Sequence, residues 1–247
     1  MIDNSALSAT PTVSIWVGAM TSRSKLETLP VVHEAALSGS AQRLLVDDLG
    51  EIIESAPLYT PTMPVTGRPF SVRMTNCGPL GWVSDKAEGY RYQEAHPVTG
   101  QPWPQLPTAV AEIWRHYSGY PDPADACLVN VYATTAKMGL HRDMDEEDFS
   151  APVVSVSLGD DCLFRIGGTK RGGPTKSLRL RSGDVVVLGG ETRLSYHGVD
   201  RIYPGTSTIE LRVPEARRIN LTLRRARASE REKPTRSPDG RRRKRQE

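Results

Sequence analysis

At 247 residues, 38% of them hydrophobic and 25% charged, the chain can bury a real core in one large domain or two small ones. Its longest apolar runs, such as Val185-Val186-Val187-Leu188, are strand-sized, which excludes a membrane-spanning helix. No basic region followed by an apolar stretch marks a secretory leader, so a cytoplasmic protein is expected. The net charge of +3 is unevenly placed: residues 225–247 hold ten Lys or Arg against four Asp or Glu, which leaves a mildly acidic body.

Residues 1–28 carry Ser, Thr and Ala without sustained periodicity and read as a poorly ordered arm. Val31-Val32 opens a short strand. Leu44, Leu45, Leu49, Ile52 and Ile53 recur at helical spacing and predict an amphipathic helix from Ala41 to Ser55, ended by Ala56-Pro57. The stretch Tyr59–Pro107 holds eight prolines and isolated aromatics with little periodicity, so it reads as an irregular lid or binding loop. Val110, Ile113, Trp114 and Tyr117 mark a second helix, terminated by Gly119 and Pro121.

After Asp125 the pattern turns to short β-rich runs: Leu128–Tyr132, Val153–Leu158, Cys162–Ile166, Leu178–Leu180, Asp184–Leu188, Leu194–His197, Thr208–Val213 and Ile219–Arg224. Turn signals such as Gly167-Gly168 and Gly189-Gly190 separate them. Strands at this spacing predict a double-sheet barrel of jelly-roll type. The fold class is therefore mainly β with flanking helices (α+β). One domain is expected over 29–224, with the lid at 59–107 and the barrel at 126–224. From residue 225 onward, Arg, Lys, Ser, Pro and Glu without an apolar face predict disorder. Cys77, Cys127 and Cys162 form no C-x-x-C pair, so buried, reduced thiols are expected rather than a disulfide framework or structural zinc.

His141-Arg142-Asp143, with His197 54 residues after Asp143, carries the chemistry. Residues i and i+2 of a strand point to the same side, so His141 and Asp143 can grip one ion. A His from a later strand completes a two-His, one-carboxylate face that leaves metal positions open, which suits non-haem Fe(II). H-x-D alone is common by chance, and on spacing alone several metals remain open. As a strand, Arg218–Arg224 puts Arg218, Asn220, Thr222 and Arg224 on one face and Ile219, Leu221 and Leu223 on the other. Inward-facing arginines need an anion, and a guanidinium fork meets a carboxylate with two parallel bonds. An edge strand with both arginines in solvent fits the alternation equally well. Leu128, Asn130 and Tyr132 share one side of their strand, and Asn130 and Tyr132 could donate to the same anion.

Several blocks together resemble the AlkB alkylation-repair dioxygenases. They are Asn130-x-Tyr132, His141-x-Asp143-x-Asp145, Ser155-Val156-Ser157-Leu158-Gly159, Gly189-Gly190-Glu191, Tyr196-His197-Gly198 and Arg218-x-Asn220-Leu221-Thr222-x-Arg224. Met74-Thr75-Asn76-Cys77-Gly78 with Leu80-Gly81-Trp82 resembles bacterial members, and the likeness runs from about Tyr59 to Arg224. The resemblance implies a double-stranded β-helix with Fe(II) on His141, Asp143 and His197, and with 2-oxoglutarate and O₂ as co-substrates. It implies that Arg218, helped by Asn220 and Tyr132, holds the distal carboxylate of 2-oxoglutarate, with Arg224 and Asn130 near the chelating end. It further implies oxidative demethylation of bases of the 1-methyladenine and 3-methylcytosine type in DNA, single-stranded or locally opened, with RNA as a further partner and a monomeric protein.

In that family the segment before the barrel clamps the nucleotide. Trp82 falls where an aromatic stacks on the base, and Met74, Phe70 and Tyr90 fall at or near lid positions. Asp145 would favour a base made cationic by N-methylation, and Arg171 occupies a loop that contacts nucleic acid. Leu188 and Arg68 depart from the bacterial pattern, which bears on substrate preference and not on the iron ligands.

Other readings are weaker. A kinase would need a glycine-rich loop before His141-Arg142-Asp143 and an Asp-Phe-Gly after it, and neither is present. An EF-hand starting at Asp143 fails because its glycine position is Asp148 and its twelfth is Val154. An iron and 2-oxoglutarate oxygenase acting on a protein or small molecule would have no reason for the Met74–Trp82 block. A catalytically silent barrel that binds nucleic acid through its basic tail is the third alternative.

Overall fold

The computed structural model describes residues 29–228; the predicted arm 1–28, and the predicted tail beyond 228, lie outside the described residues. Two antiparallel sheets face each other. The major sheet runs β1(Val31–His33), β10(Val185–Leu188), β7(Val153–Gly159), β12(Arg218–Arg224), β5(Ala126–Tyr132) and β2(Arg73–Cys77). The minor sheet runs β6(Met138–His141), β11(His197–Tyr203), β8(Asp161–Gly167) and β9(Thr175–Leu180). A separate hairpin, β3(Gly81–Asp85) with β4(Gly89–Gln93), completes the strands.

The major sheet is covered on both faces. Helices α1(Gly39–Ser55) and α2(Thr108–Tyr117) lay Leu45, Leu49, Ile52, Val110 and Trp114 against Val129, Val156, Leu221 and Leu223 on its outer face. Ser38 caps α1 by accepting a bond from the Ala41 N–H. The inner face meets the minor sheet through Leu128, Val153, Phe164, Ile166, Leu180 and Val199. The middle of that inner face is polar. Register pairs Arg218 with Tyr132 and Asn220 with Asn130, so four polar side chains of β5 and β12 enter the space between the sheets.

Several expectations are corrected. Leu194–His197 is not a strand: Ser195 N bonds to Thr192 O and Tyr196 N to Gly168 O, so the chain leaves a 3₁₀ turn and the ladder begins only at His197. Thr208–Val213 is a loop. Asp160 accepts from the N–H groups of Thr206 and Ser207, Arg212 has a left-handed backbone with φ of 53°, and Leu211 is buried in the outer core with Ile209 and Val213 packed against it. The stretch 59–107 is less irregular than its prolines suggest, because β2 joins the major sheet beside β5 and β3 and β4 form their own hairpin. Strand β2 is buried from Met74 to Cys77, so no polar–apolar alternation betrays it. Residues 225–228, expected with the tail, pack onto the body: Ala226 is buried, its N–H bonds to Asp125, and Arg227 pairs with Glu94.

The three cysteines are free and buried, as expected. No described helix is long and apolar enough to cross a membrane.

Gly198 follows His197 where β11 presses against β6. A Cβ there would lie 2.5 Å from the Met138 carbonyl oxygen and 2.9 Å from that of Gly139. Gly198→Ala should therefore cost about 1–3 kcal/mol by forced overpacking. Urea denaturation checks this, and a wild-type midpoint would contradict the close approach.

Candidate metal centre and substrate pocket

His141 ends β6 and His197 begins β11, and the two are direct cross-strand partners. Asp143 lies just past the end of β6, so the ligand set straddles a strand terminus rather than sitting within one strand. The ligand atoms of the three residues all lie within 4.8 Å of one another. Nδ1 of His141 is 2.9 Å from Gly139 O and Nδ1 of His197 is 3.0 Å from Ser195 O. These bonds assign the Nδ1–H tautomer and leave both Nε2 atoms free to bind a metal. The Nε2 atoms stand 3.8 Å and 3.9 Å from the Asp143 carboxylate. Burial and the neighbouring His141 push the pKa of His197 down to about 4, so it is neutral and ligand-ready at pH 7. Burial would raise the Asp143 carboxyl, but Arg224 and the two histidines outweigh it and hold it well below the usual range.

A buried network fixes the carboxylate. Arg224 Nη2 donates to Asp143 Oδ2 at 2.8 Å, and its Nε is 3.3 Å from Glu146. Glu146 also pairs with Arg193 at 2.9 Å and accepts from the Tyr92 hydroxyl at 2.6 Å. Arg193 in turn donates to the carbonyls of Asp143 and Ala151. Of the acidic run 145–148 only Glu146 is buried, while Asp145 and Glu147 are exposed and Asp148 is half-buried, yet all four are bonded. Asp145 accepts from Trp82, Glu147 from the Ala228 N–H and Asp148 from Tyr120 and Ser150.

Every candidate metal, co-substrate and substrate residue named from the sequence lines one cavity of about 660 Å³, whereas Arg68 does not. Arg218 is the deepest cation, 1% exposed, with Nη2 donating to Ser157 Oγ at 2.6 Å and Nη1 to Asp160 O at 3.3 Å. Its Nε has no partner, Asn130 Oδ1 has none either, and Arg218 pairs with no carboxylate among the described residues. Burial keeps the facing Tyr132 phenol protonated, against the pull of Arg218, so it can donate. A buried guanidinium with a free Nε–H beside a phenol could seat a carboxylate. Asn220 spends its amide N–H groups on Ser155 and Val156, which fixes the strand around Arg218.

The lid forms the outer wall. Trp82 and Tyr90 stack at 5.5 Å and 24°, Phe70 meets Trp82 edge-on at 6.4 Å, and Met74 lies buried on β2. Trp82 Nε1 donates to Asp145 at 2.8 Å, at the exposed mouth. Partial burial raises the Asp145 carboxyl despite that bond. Arg171 reaches the mouth from the β8–β9 loop.

With this geometry in view, the comparison with known proteins is decisive. The family model described as "2OG-Fe(II) oxygenase superfamily" matches residues 31–224. The chain belongs to the 2OG-Fe(II) oxygenase superfamily. It is 53% identical over 198 residues to the "Alpha-ketoglutarate-dependent dioxygenase AlkB homolog" of Caulobacter vibrioides, covering 80% of this chain and 88% of the relative. It is 42% identical over 191 residues to the "Alpha-ketoglutarate-dependent dioxygenase AlkB" of Escherichia coli, covering 76% and 86%. Among solved structures, "The structure of OsALKBH1" superposes with a TM-score of 0.66 at 28% identity, covering 79% of this chain and 96% of that one. A 2OG-Fe(II) oxygenase uses Fe(II), 2-oxoglutarate and O₂, and the two free Nε2 atoms, the fixed Asp143 carboxylate and the orphan Arg218 fit that set.

Sequence reasoning missed Tyr92, Glu146 and Arg193, which never touch the metal position but hold Asp143 and Arg224. It also missed Arg142 and Tyr196 at the mouth.

Arg218→Met should remove an uncompensated buried charge. The metal-free variant is expected to be as stable as the wild type or more so, by about 1–4 kcal/mol. In the wild type, 2-oxoglutarate should raise the thermal midpoint, and in the variant it should not. A destabilised variant that still responds to 2-oxoglutarate would contradict the seat.

Proposed function

We propose that this oxygenase demethylates N-alkylated bases of the 1-methyladenine and 3-methylcytosine type in DNA, releasing formaldehyde and succinate. The observation that carries the proposal is the stacked Trp82–Tyr90 wall with the Asp145 carboxylate fixed on Trp82 at the mouth of the metal pocket. A flipped-out base offers a π-face to such a wall, and methylation at a ring nitrogen makes it cationic, matching the carboxylate. A protein or small-molecule substrate needs neither feature. The names of relatives matched over shorter stretches include a DNA N(6)-methyladenine demethylase and a tRNA demethylase, which supports a nucleic-acid substrate.

When bound, the iron with 2-oxoglutarate and O₂ supplies the oxidation that converts N-methyl to N-hydroxymethyl, which then loses formaldehyde. His141, Asp143 and His197 would hold the iron. Arg218 and Tyr132 would hold the distal carboxylate of 2-oxoglutarate, with Asn220 fixing the strand beneath them. Arg224 and Asn130 would border the chelating end. Trp82, Tyr90 and Phe70 would hold the base and exclude water, Met74 would floor the pocket, and Asp145 would select the cationic base.

The test is formaldehyde release from a single-stranded oligonucleotide carrying 1-methyladenine, with Fe(II) and 2-oxoglutarate supplied. We expect formaldehyde and succinate in equal amounts, and none from His141→Ala. Succinate without demethylation would sink the proposal and favour another substrate. Trp82→Ala should weaken oligonucleotide binding by about 1–3 kcal/mol, the usual worth of one base stack; a wild-type affinity would remove Trp82 from the base site.

A further inference from the structure

Tyr196, the residue before the ligand His197, is partly exposed and carries two guanidinium groups. Arg142 Cζ lies 5.4 Å from its ring centroid and Arg171 Cζ lies 5.9 Å from it. The two arginines come from different parts of the chain. Arg142 sits between the ligands His141 and Asp143, just past β6, and Arg171 lies in the β8–β9 loop. Arg142 is tied to that loop by a long bond from Nη1 to Thr169 O at 3.4 Å, and its Nε is 3.3 Å from Met144 Sδ. Neither arginine pairs with a carboxylate among the described residues, and both line the mouth of the cavity.

This is an unusual arrangement for the body of a mildly acidic protein. Two like charges approach one ring, and neither is paired with a carboxylate among the described residues. The face of the ring attracts each cation, which offsets part of their repulsion and favours both guanidiniums at the mouth, where an anion can meet them. The mouth is polarised as a result. On its lid side Asp145, bonded to Trp82, offers a negative group, and on its barrel side Arg142 and Arg171 offer positive ones.

A methylated nucleotide within a strand has the matching polarity, a cationic base attached to an anionic diester. We infer that Arg142, stacked on Tyr196 beside Arg171, binds a backbone phosphate next to the base held in the pocket. This inference rests on the demethylase reading. Tyr196 acts as a positioning residue, and its ring makes Arg142 useful by holding it in place. A cation on a phosphate fixes register without reading sequence, so Arg142 would raise affinity for a strand regardless of the bases flanking the lesion.

The experiment is an anisotropy titration of the full chain with a labelled single-stranded oligonucleotide carrying one 1-methyladenine, at salt concentrations from roughly 50 to 200 mM. Removing one cation that neutralises a phosphate should make the slope of log affinity against log salt shallower by about 0.7. Arg142→Ala should show that change, and Arg142→Lys, which keeps the charge, should keep the wild-type slope. Tyr196→Leu should keep the slope, because both cations remain, yet lose affinity several-fold because they are no longer held. A wild-type slope in Arg142→Ala overturns the assignment, and a wild-type affinity in Tyr196→Leu overturns the role of the ring. A wild type that releases no formaldehyde from the same oligonucleotide contradicts the demethylase reading instead. An active wild type with an unchanged slope in Arg142→Ala contradicts only the binding of phosphate by Arg142.

Discussion

The ion pair between Arg224 and Asp143 joins the two sheets at the candidate metal centre. Arg224 belongs to β12 in the middle of the major sheet, while Asp143 follows β6 at the edge of the minor sheet. The pair is buried, and a buried pair is stabilising only when its remaining donors and acceptors are met. Glu146, Arg193 and Tyr92 meet them, which is why four charged groups and a phenol can share one apolar interior. The same bonds set the angle at which Asp143 faces the two histidines. Tyr92 is the cross-strand partner of Trp82, so the hairpin that carries the Trp82–Tyr90 stack is bonded to the loop that carries Asp145 and Glu146.

The major sheet shows how a fold accommodates such a site. Its outer face is apolar and sealed by two helices, and this packing supplies stability that the inner face does not. On the inner face Arg218 Nε and Asn130 Oδ1 have no partner among the described residues, so both could meet a ligand. Stability and function are divided between the two sides of the same strands. β12 shows this most clearly, with Ile219, Leu221 and Leu223 on one side and Arg218, Asn220 and Arg224 on the other.

Much of this was legible in the sequence. The alternation of Arg218–Arg224 and of Leu128–Tyr132 was readable because opposite faces carry opposite chemistry. Which face turned inward was not readable, since an edge strand gives the same pattern; only the neighbours β5 and β7 settle it. β2 was hidden because both its faces are buried, and β6 because it is short and ends in His141 in place of an apolar residue. Leu194–His197 and Thr208–Val213 looked like strands because anchor residues such as Leu211 mimic alternation. Glu146 was invisible for a further reason. A carboxylate in an acidic run is ordinarily solvated, and its burial depends on Arg193, 47 residues away in the chain.

The central claim is that one pocket between the sheets takes the metal and the 2-oxo acid together, with the ligand triad at one end and Arg218 at the other. Titration calorimetry of 2-oxoglutarate with the oxygen-free protein, with and without Mn(II) in place of iron, tests it directly. If both occupy one site, the metal should tighten 2-oxoglutarate binding by about 5- to 150-fold, the usual range of coupling between linked ligands. Equal affinity with and without the metal would contradict a shared pocket.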